Sequence, residues 1–181
     1  MKEEIKDARI IKTKEKLKDS LLELMNNKPI DSISVTELCN KAKVNRNTFY
    51  SHYESPHKLL DEIEADLFNE LIDTLMKADL VNITFKDFLY SLLTSIYNNR
   101  GICTVLFGKF GDNEFINNAI ELPKSLVIES WKSTMHLSDF ESSIRYTYFS
   151  GGAISVIKDW VNNGFYIRME VLVDCLAKII L

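Results

Sequence analysis

Glycine and proline are scarce in this chain of 181 residues, with six of the first and three of the second. These residues punctuate turns and interrupt helices, so their rarity leaves little room for the many tight turns of an all-β fold. Alternating apolar and polar residues, the mark of a half-buried strand, are equally hard to find. No apolar stretch approaches the roughly 20 residues that a membrane helix needs. The opening MKEEIKDARIIKTKEKLKDS is charged throughout and lacks the apolar segment of a signal peptide. A cytoplasmic protein with no membrane partner is expected. Cys39, Cys103 and Cys175 are odd in number and far apart. With no CxxC or Cys–His pairing, they read as buried reduced thiols rather than as disulfides or metal ligands. GxSxG, HExxH and phosphate-cradling glycine loops are also missing. The chain therefore offers no catalytic residue, no cofactor site and no metal site, and an enzyme is not expected.

What is present is 46% apolar residues, enough for a substantial core. The net charge of −4 hides an asymmetry. Residues 1–60 carry twelve Lys/Arg against nine Asp/Glu, whereas residues 61–181 carry ten against seventeen. An N-terminal module facing an anion fits that distribution.

Helical spacing runs through the chain, so the fold is expected to be all-α. Ile10, Leu17, Leu21, Leu24 and Met25 share one face of a first helix that ends at Asn26-Asn27, ahead of Pro29. Ser34 and Glu37 form a capping box for a second, short helix with Val35, Leu38, Cys39 and Ala42 inward. Lys43-Val44 is the turn, and Asn45 caps a third helix carrying Arg46 to Tyr53. Ser55-Pro56 starts a fourth, which is expected to run to about Ala78 with Leu59, Leu60, Ile63, Leu67, Leu71 and Leu75 on one stripe. After a break at Asn82-Ile83-Thr84, further helices are expected from Phe85 to Tyr97, from Cys103 to Phe110, from Asn113 to about Met135 with a kink at Pro123, from Phe140 to Val161, and from about Ile167 to Leu181. Asn162-Asn163-Gly164 is the stop signal of the penultimate one. The expected division is an N-terminal helical domain over residues 1–55 and a second helical domain over 56–181.

The stretch VNRNTFYSHYESPHKLL, residues 44–60, interleaves aromatic rings with short polar groups. Helix, short turn, helix over residues 35–52 is the size of a helix-turn-helix, whose second helix lies in the DNA major groove. Such a helix needs arginine and short polar side chains on one face and apolar anchors on the other. Val44 and Phe49 supply the anchors. Arg46 can bond guanine bidentately and Asn47 can bond adenine or a phosphate. Thr48, Tyr50 and His52 carry donors for phosphate oxygens. Lys58 and the backbone N–H groups at the start of the fourth helix can reach another phosphate. Tyr53 reads better as a core aromatic.

With those residues in view, ISVTELCNKAKVNRNTFYSHYESPHKLLDEI resembles the DNA-binding segment of the tetracycline-repressor-like (TetR/AcrR) regulators. The similarity covers about residues 9–62 and rests on Leu38, Ala42, Val44, Thr48-Phe49-Tyr50, His52-Tyr53 and Leu59-Leu60. It implies that Arg46, Asn47, Tyr50, Ser51 and His52 face double-stranded DNA, with Thr36 at the edge. Two positions depart from the family pattern. Lys43 stands where the family usually has glycine, which predicts a strained positive φ and a further backbone contact to DNA. Pro56 stands where a phosphate-binding lysine is usual.

The resemblance also implies a homodimer reading a palindrome and an effector cavity in the second domain. Gly151-Gly152 inside an otherwise strong helix costs roughly 1 kcal/mol per glycine relative to alanine, which is tolerated where another backbone approaches. With Ile154, and with Leu172, Leu176 and Ile179 of the last helix, they are the candidate dimer residues. The helices of two chains would form a four-helix bundle. Phe88, Leu92, Tyr97, Phe107, Phe110, Phe115 and Trp131 are the candidate pocket lining for an unknown small-molecule effector. The expected function is a ligand-responsive repressor. The alternative is an activator of the same fold whose second domain docks a protein partner.

Overall fold

The computed structural model describes residues 2–77 and 84–180. They form α-helices and one 3₁₀ turn, with no strand among the described residues, as the spacing of the apolar positions predicts. The chain divides into two compact units, one of Met1–Leu67 with Lys109–Gly111 and one of Phe68–Gly108 with Asp112–Leu181.

The first unit contains α1 (Lys2–Met25), the 3₁₀ turn Ile30–Ser32, α2 (Val35–Ala42), α3 (Arg46–Tyr50) and the start of α4 (Pro56–Lys77). Leu17, Leu21 and Met25 of α1 are buried with Leu38 of α2, Phe49 of α3, and Leu59 and Ile63 of α4. Burying each such side chain contributes roughly 1.5–3 kcal/mol. The Ser34 hydroxyl accepts from the Glu37 N–H at 3.2 Å, so α2 starts where the sequence places it. The return half of the expected capping box is missing, because the Glu37 carboxylate pairs with Lys28. The third helix is shorter than expected. It ends at Tyr50, and Ser51 to Ser55 turn the chain into α4. The expected end of α4 at Ala78 and the break at Asn82-Ile83 lie outside the described residues.

In the second unit, α5 (Phe85–Asn98), α6 (Arg100–Leu106), α7 (Asn113–Glu121), α8 (Lys124–Met135), α9 (Asp139–Asn162) and α10 (Met169–Ile180) follow. Thr84 with Asp87 and Ser138 with Glu141 form reciprocal capping boxes that start α5 and α9. Pro123 ends one helix and precedes another instead of kinking a single one. A proline ring clashes with the carbonyl four residues back and offers no N–H, and here the chain resolves this by stopping. Gly108 closes the turn after α6 because a Cβ there would meet the Thr104 carbonyl oxygen at 2.7 Å. Helix α10 packs on α5 and α8 on α9, and Lys86 joins α5 to Asp174 of α10 at 2.6 Å. Cys39 and Cys103 are buried, and burial pushes the Cys103 thiol up to about 12. Cys175 is exposed, against expectation. Its place on α10 falls between Val171 and Ile179, which also face outward.

Lys43, at the end of α2, adopts φ 55° and ψ 43°, the left-handed conformation expected from its place in the motif. A side chain in that conformation costs roughly 1–2 kcal/mol, which glycine avoids at the expense of unfolded-state entropy. Lys43→Gly is expected to stabilise the fold by about 0.5–1 kcal/mol, read as a higher urea midpoint. An unchanged or lower midpoint would show that the lysine is unstrained there.

Candidate nucleic-acid interface

The Asn45 side-chain oxygen accepts the Asn47 N–H at 2.8 Å and starts α3. Phe49 has no exposed surface and anchors the helix. Its ring meets Tyr50 edge-on at 5.6 Å and Tyr53 at 5.8 Å. On the opposite face Arg46, Asn47, Thr48, Tyr50 and Ser51 are exposed, and Thr36 is exposed in the first turn of α2. Arg46 and Lys43 enter none of the ion pairs among the described residues. No Asp or Glu occurs between Glu37 and Glu54, so this face carries uncompensated positive charge.

Three of the expected contacts sit differently from the simplest picture. The Ser51 hydroxyl donates to the Thr48 carbonyl at 2.7 Å, so its proton already has an acceptor. His52 is half-buried and stacks obliquely on Tyr53 at 6.3 Å. Lys58 pairs with Asp61 at 2.8 Å, a bond that raises its pKa. The start of α4 is also poorer in donors than expected, since Pro56 has no N–H and that of Lys58 goes to the Ser55 hydroxyl. Exposed pairs such as Lys58–Asp61 contribute little, so a phosphate can still compete for the lysine.

Behind this face lies a polar network that composition and motif reading do not reveal. Tyr53 is buried, as expected of a core aromatic, and its hydroxyl donates to Glu62 of α4 at 3.1 Å. Lys14 and Lys18 of α1 reach the same carboxylate at 2.9 and 3.0 Å. Lys18 continues to Asp66 at 2.6 Å. Burial pushes the Glu62 pKa up, but the hydrogen bonds from Lys14, Lys18 and Tyr53 outweigh it and hold the group below its ordinary 4.5. The one available signal was that a buried tyrosine hydroxyl must find a partner.

The candidate pocket residues fall into separate groups. Phe88 and Trp131 belong to one cluster of rings with Phe85, Tyr146 and Phe149, at centroid spacings from 5.3 to 6.3 Å. Tyr97, half-exposed, packs on Trp160 and Phe165. Phe107 and Phe115 are buried in the same unit, Leu92 is half-buried, and Phe110 groups with the first unit. Of the candidate dimer residues, Gly151 and Gly152 are exposed, and a Cβ on either would meet nothing within 4 Å. Ile154 is half-buried and Ile179 exposed. Leu172 and Leu176 are buried within the chain itself. They face inward on α10 and can support an interface only from beneath. Phe140, Ile144 and Tyr148, absent from that set, stand exposed on the glycine-bearing face of α9. Among the described residues no group of three His, Cys, Asp or Glu could hold a metal ion, and no helix is long and apolar enough to cross a membrane.

Residues 83–181 match the model of a transcriptional regulator C-terminal region. The chain is 22% identical over 151 residues to an uncharacterised HTH-type transcriptional regulator, YxbF, of Bacillus subtilis (strain 168), an overlap of 81% of this chain and 39% of YxbF. The chain thus spans about two fifths of the length of that relative. Among solved structures, a transcriptional regulator of the TetR/AcrR type from Aquifex aeolicus VF5 superimposes with a TM-score of 0.70 at 20% identity, covering 93% of this chain and 99% of that one. The dihydroxyacetone kinase operon activator DhaS gives 0.60 at 21% identity, covering 93% of each.

The Glu62 network makes the first unit pH-sensitive. A carboxylate whose folded pKa lies below its unfolded one stabilises the fold above the unfolded value and loses that contribution as pH falls through the folded value. Glu62→Gln is therefore expected to cost stability near pH 7, with the gap to wild type closing below about pH 4.5. Thermal melts across that range test it, and a gap that persists at low pH would refute the charge-based account.

Proposed function

The chain belongs to the tetracycline-repressor-like (TetR/AcrR) family of transcriptional regulators, and we propose that it is a cytoplasmic, homodimeric, ligand-responsive repressor that binds a palindromic operator. In this reading residues 1–55 are the DNA-binding domain, and residues 56–181 hold the effector and the partner chain. One observation carries it. Helix α3 follows α2 through a left-handed turn, buries Phe49, and turns Arg46, Asn47, Thr48 and Tyr50 outward in a stretch without carboxylates. A major groove about 12 Å wide admits such a helix, and arginine and asparagine match guanine and adenine edges. Thr36, Ser51, His52 and Lys58 complete the set, with Lys58 exchanging Asp61 for a phosphate.

One helix of this size reads few bases, so two copies spaced by one DNA turn of roughly 34–36 Å are required. The exposed face of α9 supports a second copy as the partner. Phe140, Ile144 and Tyr148 lie on it beside Gly151 and Gly152, whose missing side chains leave room for a close backbone. Repression by an effector then needs only that the ligand prefer the arrangement that does not bind DNA. The aromatic clusters around Trp131 and Trp160 are the places for an apolar ligand to enter, with Phe88, Leu92, Tyr97, Phe107 and Phe115 as wall candidates. The same exposed residues of α9 also suit the second reading, an activator that docks a protein partner.

Selection of bound sequences from random duplex DNA tests the reading and gives the half-site spacing. A palindrome is expected, with Arg46→Ala weakening it by roughly 1–3 kcal/mol and relaxing one base preference. Recovery of no sequence, or a salt-independent affinity, would sink it. For the dimer, Tyr148→Glu is expected to leave helix content intact and to yield monomers in sedimentation equilibrium. A wild-type chain that already sediments as a monomer would favour the protein-docking reading.

A further inference from the structure

We propose that Glu62 is a positioning residue for operator binding, acting through the Tyr53 hydroxyl to fix the angle at which α3 is presented. The proposal rests on the reading of α3 as the DNA-contacting helix. That helix has five residues, little more than one turn, and its own backbone bonds cannot set its orientation. Its main anchor, Phe49, is wholly buried, but apolar packing is non-directional. A ring held only by packing can roll, and a small roll displaces Arg46 and Asn47 at the base edges.

The hydrogen bond from Tyr53 supplies the missing direction. Glu62 Oε1 accepts from the Tyr53 hydroxyl at 3.1 Å and from Lys18 at 3.0 Å, and Oε2 accepts from Lys14 at 2.9 Å. The Lys14 ammonium also lies 5.3 Å from the centre of the Tyr53 ring. One carboxylate thus ties together α1, α4 and the segment leaving α3. Core packing alone would be served by phenylalanine at position 53, because a buried hydroxyl is costly without a partner. The hydroxyl adds an orientation, and charge-assisted bonds of this kind are the directional ones. Because the Glu62 and Lys14 side chains are about a third exposed, the ion pairs contribute modestly to stability. The network is therefore better suited to setting geometry than to holding the fold.

The test uses the full chain, the operator recovered by selection, and a random duplex of equal length, each variant being assayed well below its own unfolding midpoint. Tyr53→Phe removes one oxygen atom. It is expected to lower operator affinity about ten-fold, the low end for a hydrogen bond to a charged group, while affinity for the random duplex and its salt dependence stay unchanged. Glu62→Gln is expected to lower the same operator-to-random ratio, and the double variant to fall no further than the worse single one, since both act through one bond. A role confined to stability would shift the melting midpoint and leave that ratio alone. Unchanged ratios, or losses that add, would overturn the proposal, and Tyr53→Phe alone decides it if Glu62→Gln does not fold. Arg46→Ala run alongside separates the two levels. Its loss of operator affinity with an intact Tyr53→Phe ratio rejects only the positioning role, whereas a wild-type chain that selects no sequence rejects both.

Discussion

A helix of five residues cannot hold itself together in water, where isolated helices shorter than about 12–15 residues are marginal. That constraint governs the first unit. The exposed face of α3 depends on the helix being held from behind: Asn45 starts it, Phe49 buries it, and Tyr53 ties its exit to Glu62. Phe49 and Tyr53 turn inward while Arg46, Asn47, Thr48 and Tyr50 turn outward, so buried rings and exposed polar groups interleave in sequence. The left-handed Lys43 is a cost of the same economy, since the chain must reverse between α2 and α3 in very few residues.

The second unit solves a different problem. Its rings form two clusters, Phe85, Phe88, Trp131, Tyr146 and Phe149 in one and the half-exposed Tyr97 with Trp160 and Phe165 in the other. Edge-on ring pairs add about 0.5–1.5 kcal/mol beyond the area they bury. The Trp160 indole N–H donates to the Ile167 carbonyl at 2.8 Å, which secures the turn where Gly164 and Phe165 both take positive φ. Helix α9 then carries buried Tyr146, Phe149, Ile157 and Trp160 on one side and exposed Phe140, Ile144 and Tyr148 on the other. Helix α9 is thus apolar on both sides, and the side carrying Phe140, Ile144 and Tyr148 is exposed.

Much of this was legible in advance. Apolar spacing located the helices, Ser34 and Asn45 marked the starts of α2 and α3, and Gly164 marked the end of α9, because caps and periodicity act within a few residues of chain. The family resemblance identified the outward set on α3 from its motif. Pro123 was misread as a kink because a proline's local effect is the same at a bend and at a stop, and packing on both sides decides between them. The burial of Leu172 and Leu176 within the chain was not legible, because an apolar stripe on a helix does not say which neighbour covers it.

The sequence by itself determined the helical class, the order of the elements, and the chemistry carried by residues 44–60, since these follow from bonds and periods that the chain makes with itself locally. Only the tertiary structure decided which face each helix turns inward, that Lys58 is already paired with Asp61, and that Glu62 meets Tyr53, Lys14 and Lys18. Those pairings join residues up to 48 positions apart, and no local rule brings such distant side chains to one carboxylate.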